Sequence, residues 1–186
     1  SITSYVTDSF RSTDAQPDPI RFDVEDRLYN QDVLYTFGDG GSSLEGLVGL
    51  NMNQRIQDAR ATGATRAATN TTSQAAFADL SWRFAPGLTA LAGGRLHRNR
   101  DTRDQVSLLT PGSTHYEKTE TVLLPKVGLL WDLDARNTLG ATLRDGYNAG
   151  GGSVNFFTGA PYQYESERVR TIEAVYRTRS ADDRIA

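Results

Sequence analysis

The chain has 186 residues, 38% hydrophobic and 23% charged, with a formal net charge of −3 and no cysteine. That length is about one ordinary domain, and no apolar run approaches the ~20 residues of a membrane-spanning helix. Without cysteine there is no disulfide, thiolate metal site or thiol nucleophile, and the small negative charge lacks the basic excess of a nucleic-acid binder.

The opening residues SITSYVTDSF have neither a basic n-region nor an apolar h-region, so no secretory signal is read there. The chain is then cytoplasmic, or mature or internal material from something longer. Alternation and turn residues predict about eight strands, over residues 2–10, 22–37, 43–57, 71–85, 88–104, 116–132, 137–148 and 164–179. Tight turns are expected at Gly38–Gly41, Ala85–Gly87, Asp132–Asn137 and Ala181–Asp183. Their centres lie about 47 to 48 residues apart, which marks a repeat. Longer polar connections are expected over Arg11–Arg21, Asp58–Asn70, Asn99–His115 and Ala149–Gln163. Short turn, long strand, long loop, long strand is the rhythm of antiparallel hairpins. A propeller blade of similar period needs turns about every 10 residues.

Within the strands one face is apolar and the other polar. Leu80, Val127, Leu129 and Leu143 fall on apolar faces, and Asp79, Lys126 and Arg144 on the opposite ones. Such a face packs on another sheet in a soluble or adhesive β-module, or meets lipid in a barrel. Aromatic residues at the short-turn ends (Tyr35, Phe37, Trp82, Phe84, Trp131, Tyr176) match an interfacial girdle. Tyr29 and Tyr147, about eight residues further along, would mark a second girdle about 20 Å higher in a tilted strand. Short turns on one edge and long loops on the other complete the pattern of an outer-membrane barrel. The fold class expected is therefore all-β, an antiparallel up-and-down transmembrane β-barrel segment of about eight long strands.

Leu123–Thr178 resembles the TonB-dependent outer-membrane receptor family. The resemblance rests on Pro125-Lys126-Val127-Gly128, Asp132-Leu133-Asp134, Gly146-Tyr147-Asn148-Ala149-Gly150-Gly151, and Tyr164-Glu165-Ser166-Glu167 before Thr171-Ile172-Glu173. Phe22–Arg27 and Leu44–Leu50 are similar to mid-barrel strands of that family. The resemblance implies a barrel of about 22 strands, of which residues 1–186 would be an interior part, without the plug domain and the closing C-terminal strand. It further implies a bacterial outer-membrane location. The implied role is uptake of a bulky nutrient, most often a ferric siderophore, driven by an energy-coupling inner-membrane complex acting through the plug. No enzymatic activity, cofactor, resident metal or nucleic-acid partner is implied; a small autonomous outer-membrane barrel, or a barrel enzyme, is the outlying alternative.

Ferric siderophores are often anionic and aromatic, so lumen arginines and loop aromatics suit them. Arg95 and His97, followed by Asn99 and Asp101, lie on the polar face of the fifth strand, and Arg144 on that of the seventh. Phe156, Tyr162 and Tyr164 are the loop aromatics chosen as ligand-binding candidates, with Tyr116 and Phe157 also available. Lumen charges also pair commonly with cross-strand partners. On the outward face, Arg98 and Arg100 stand above the apolar band, in reach of lipopolysaccharide phosphates or simply solvated. Two histidines are too few for a His-based metal site, and His115 is expected in an exposed loop. Asp132–Asn137 lacks the central Gly and closing Glu of a calcium loop and reads as a β-turn. No nucleophile-elbow sequence supports a Ser–His–Asp triad.

Overall fold

Side chains that alternate between lipid-like and polar partners require extended backbone, and extended backbone requires neighbours for its N–H and C=O groups. The computed structural model meets both demands with one antiparallel sheet; it describes residues 2–13, 21–108, 112–154 and 160–179. The strands are β1 (Ile2–Thr13), β2 (Arg21–Phe37), β3 (Leu44–Ala61), β4 (Thr65–Ala85), β5 (Leu88–Ser107), β6 (Gly112–Asp132), β7 (Asn137–Asn148), β8 (Gly151–Val154), β9 (Pro161–Tyr164) and β10 (Glu167–Thr178). The main sheet runs β1-β2-β3-β4-β5-β6-β7-β10, and β8 and β9 form a separate two-stranded hairpin. Sequence neighbours pair from β1 to β7, and β10 joins β7 across the β8–β9 hairpin, so the topology is the expected up-and-down one with one inserted hairpin. Among the described residues β1 and β10 do not pair with each other, and the sheet is open.

The connections near Asp39, Pro86 and Asp134 share one edge, and Gly63 and Gly112 lie at the other. The expected marks at Gly159 and Asp182 lie outside the described residues. The short turns are held by carboxylates. Asp39 Oδ1 accepts from Gly41 N (3.2 Å) and Ser42 N (3.0 Å), and Asp134 Oδ1 from Arg136 N (2.8 Å) and Asn137 N (2.9 Å). At Gly87 the left-handed φ of 72° and a Cβ position 2.9 Å from the Asp132 carbonyl oxygen both call for glycine.

Two expected loops are strand instead. β3 and β4 continue through Asp58–Asn70 to a tight turn at Thr62–Ala64, where Gly63 has φ 75°. β5 and β6 likewise extend through most of Asn99–His115. These segments are polar on both faces, so they give no apolar alternation, yet their ladders are complete. The β3–β4 turn closes through Ala64 N to Ala61 O (3.0 Å), and Leu108 N, just past β5, donates to Ala64 O (2.8 Å). β4 and β6 reach 21 residues, well beyond the ~9–11 that cross a bilayer, and the excess stands above it. The expected eighth strand, 164–179, begins as the last residue of β9 and becomes β10 only at Glu167.

The register sorts the two faces. One face carries the rung Phe37, Gly46, Leu80, Ala92, Val127, Leu143 and Ile172, and next to it the rung Val33, Leu50, Ala76, Leu96 and Leu123 on the far side of Tyr35–Val48. Its large apolar side chains are exposed, Ile172 by 78% and Leu123 by 59%, so nothing among the described residues covers them. Trp82, Phe84, Trp131 and Tyr176 border this band at the short-turn edge. On the opposite face side chains two strands apart meet: Lys126 Nζ lies 2.6 Å from Asp79 Oδ1. Such contacts mark the concave side, towards a barrel lumen, since backbones two strands apart are about 10 Å apart. As expected, Asp79, Lys126 and Arg144 share this face, and Leu80, Val127, Leu129 and Leu143 share the other.

Candidate ligand-facing site on the concave face

The concave face of β5 presents Gly93, Arg95, His97, Asn99, Asp101 and Arg103 in succession, because period-two alternation puts every second residue on one side. Gly93 faces Asp79 on β4 and Lys126 on β6. Lacking a side chain, it leaves the gap through which the lysine reaches the aspartate. Two residues on, the Arg95 guanidinium lies 5.5 Å from the centroid of the Phe77 ring and donates to Asn51 Oδ1 at 3.2 Å. Phe77 itself lies over Gly49, where a Cβ would meet its ring at 2.5 Å. Asn51 is fixed in turn by donating to Asp32 Oδ1 (2.7 Å) and Asn30 Oδ1 (3.1 Å). Arg95 forms no ion pair among the described residues, so a full positive charge sits on an aromatic platform with a neutral amide as its side-chain partner.

His97 follows, with its ring 6.0 Å from that of Tyr147 and its buried Nδ1 without a hydrogen-bond partner among the described residues. Tyr147 corrects the sequence reading. It was expected in an outward aromatic girdle, but its hydroxyl hydrogen-bonds the Glu120 carboxylate of β6. The ladder explains the change. β6 and β7 pair only from Lys126–Arg144 to Asp132–Thr138, whereas β7 and β10 pair along the full length of β7. Above Arg144 a gap opens beside β6, beginning where Pro125 has no N–H to give. Tyr147 bridges that gap. Glu120 is held below the usual carboxylate range chiefly by Lys118 (2.8 Å) and then by Tyr147, and also accepts from Ser166 Oγ (2.9 Å).

The β8–β9 hairpin lies against this upper part of the face. Arg103 Nη1 donates to the Gly152 carbonyl at 2.6 Å, and Gly152 rests on the buried Tyr116 ring, which a Cβ would approach to 2.7 Å. Tyr162 and Tyr164 stand on β9, both 52% exposed, and Lys118 Nζ reaches Glu165 at 3.4 Å. His115 is not a loop residue: it sits in β6 opposite Asp104, whose carboxylate lies 2.7 Å from its Nδ1 and raises its pKa above the ordinary value.

The structure thus groups Arg95 and His97, with Phe77, Asn51 and Tyr147, and sets Tyr162 and Tyr164 on the hairpin higher up the face, near Arg103 and Tyr116. Arg144 lies apart, its Nη2 2.7 Å from Glu173 Oε1 on β10. Phe156 lies outside the described residues. Sequence reasoning missed Asn51, Phe77, Glu120 and Arg103. Phe77 was signalled by being the lone large side chain in Ala75–Ala78, and Pro125 by standing mid-strand.

An open, up-and-down sheet with an apolar convex face, an aromatic border and a polar concave face defines a segment of transmembrane β-barrel wall. The family described as "TonB dependent receptor-like, beta-barrel" matches residues 2–185, and the chain belongs to that family. It is an outer-membrane chain of a receptor family. The fold is similar to that of the ferric yersiniabactin uptake receptor FyuA from Yersinia pestis (TM-score 0.78, 14% identity, 96% of this chain and 30% of that one). It is similar also to the alcaligin outer-membrane receptor FauA from Bordetella pertussis (0.68, 13%, 98% and 31%). A third likeness is to the unliganded ferric citrate transporter FecA (0.58, 16%, 95% and 29%). The chain therefore spans about 30% of the length of these receptors.

Proposed function

We propose that this chain forms the ligand-facing wall of a receptor that takes up an anionic ferric chelate of the siderophore type, residues 1–186 being part of one larger barrel domain of about 22 strands. The observation that carries the proposal is Arg95: a lumen-side cation stacked on Phe77, beside a histidine nitrogen, with neither a carboxylate partner for the one nor a hydrogen-bond partner for the other among the described residues. A planar or aromatic chelate carrying negative charge answers both features, through charge-assisted hydrogen bonds and stacking. Tyr162 and Tyr164 would cover it from the hairpin, Phe156 from the adjoining segment, and Arg144, already paired with Glu173, would supply a deeper positive potential. Energy would come from an inner-membrane complex acting through a plug.

The test is a titration of the protein, purified from outer membranes, with ferric chelates of catecholate, hydroxamate and carboxylate type, read by fluorescence quenching. One class should bind. Arg95→Ala should weaken that class by about 1.5–3 kcal/mol, roughly ten- to a hundredfold, with Arg95→Lys in between. Arg27→Ala on the convex face should change nothing. Unchanged affinity in Arg95→Ala would remove the site.

A further inference from the structure

Above the apolar band, the convex face changes character within one rung. On the convex face Leu96 and Leu123, exposed by 52% and 59%, are the last large apolar residues of β5 and β6 before a run of polar ones, Val106 standing near the far end of β5. The next rung holds Gln74, Arg98 and Thr121, and the one after it Thr72, Arg100 and Thr119. Followed across β1 to β6, neither rung contains an aspartate or glutamate. The first carboxylate on this part of β6 is Glu117, one rung higher, 2.7 Å from Arg100. Arg98 is exposed and forms no ion pair or side-chain hydrogen bond among the described residues. The contrast with the concave face is plain, where Arg55, Arg95, Arg103 and Arg144 all have acceptors.

We propose that Arg98 and Arg100 bind the phosphate of an outer-leaflet lipid whose acyl chains lie on the Leu96–Leu123 rung. The chemistry fits at each level. Phosphate lies directly outside the hydrocarbon, at the height where these rungs begin. Guanidinium groups take phosphate in a bidentate fashion and shed water more readily than ammonium does. The two arginines share one face of β5 about 7 Å apart, near enough to hold one phosphate between them or to meet neighbouring ones. The hydroxyls of Thr119 and Thr121 and the Gln74 amide add neutral donors, and no acid in either rung repels the anion. Arg100 exchanges an exposed partner, Glu117, for the phosphate; Arg98 gives up none.

The experiment uses the protein purified from outer membranes in an uncharged detergent, with bound lipid counted by native mass spectrometry. Three probes are titrated: diphosphoryl lipid A, the same lipid with its phosphates removed, and inorganic phosphate. Diphosphoryl lipid A should bind at least tenfold more tightly than either of the others. The variant carrying Arg98→Gln and Arg100→Gln should lose that preference, and the variant carrying Arg98→Lys and Arg100→Lys should keep part of it, with heat-modifiable electrophoretic mobility reporting the fold. Equal binding of the dephosphorylated lipid would overturn the proposal, in the unmodified protein and without reference to any variant. So would an unchanged preference in the double-glutamine variant. Inorganic phosphate binding as tightly as the lipid would reduce the site to one for a free anion and overturn it too.

Discussion

At Gly93 a missing side chain does more than a present one would. A Cβ there would lie 2.6 Å from Asp79 Oδ1 and 2.8 Å from the Ala78 carbonyl oxygen. The carboxylate can swing away; the carbonyl, fixed in the β4–β5 ladder, cannot. Gly93→Val is expected to destabilise the protein by about 1–3 kcal/mol, the usual range for overpacking, measured by urea-dependent folding into lipid vesicles. Lys126→Met should cost less, ~0–1 kcal/mol, because the ion pair it removes is partly exposed on both sides (40% and 45%). His115 offers a second test at this scale. Asp104 favours its protonated form, so the folded-state pKa lies above the unfolded value of about 6.5. The stabilisation is fully present below about pH 6.5 and is lost as pH rises through the raised folded value. NMR titration of the ring should show a midpoint above the ordinary value that falls back towards it in Asp104→Asn, with Glu117 still favouring the protonated ring.

Strands show how far sequence patterns reach. Within the apolar band most outward positions are hydrophobic and most inward ones polar or small (Leu47, Phe77 and Leu130 are exceptions), so Ser43–Asn53, Gln74–Phe84 and Lys126–Leu133 could be read as strands with their faces assigned. Beyond the band, both faces meet water and the alternation disappears. Asp58–Asn70 then looks like a loop although Ala59, Ala61, Ala67 and Arg66 are all paired in the ladder. Tyr147 was misplaced for a related reason: its face follows from the end of the β6–β7 ladder, a relation between strands that periodicity within β7 does not contain. The site was legible only in part. Arg95 and His97 follow from alternation on β5, whereas Phe77 and Asn51, which set the guanidinium, come from other strands at positions fixed by register. The band itself makes a depth-dependent prediction. Val127 lies midway between Trp131 and Leu123 on the convex face of β6. Val127→Arg should cost about 2–4 kcal/mol in lipid, and Thr121→Arg, above the band, about 0–1. Equal costs at the two positions would place the band elsewhere.

For the whole molecule, the open order of the sheet decides behaviour. β1 and β10 each have one neighbour among the described residues, and an unpaired N–H or C=O in hydrocarbon costs several kcal/mol. Expressed as 186 residues, the chain should require amphiphile to stay in solution. Its outward-pointing edge amides in β1 and β10 should exchange with deuterium fastest among strand amides, while those of β5, covered on both sides by ladders, exchange slowest. In a receptor about three times as long, those same edge amides should become as protected as the rest.

The unequal ladders also give the wall a direction of mechanical weakness. β6 is bonded to β5 from Leu88–Trp131 to Ser107–Gly112, but to β7 only from Lys126–Arg144 to Asp132–Thr138. Above that short seam, side-chain bridges at Glu120 replace backbone bonds. If strands are pulled out of a membrane from the C-terminal side by an atomic-force tip, β7 and β10 should come away together in one rupture event. β5 and β6 should follow later at higher force, because a longer row of bonds must shear at once. Tyr147→Phe should lower the force of the first event and leave the second unchanged.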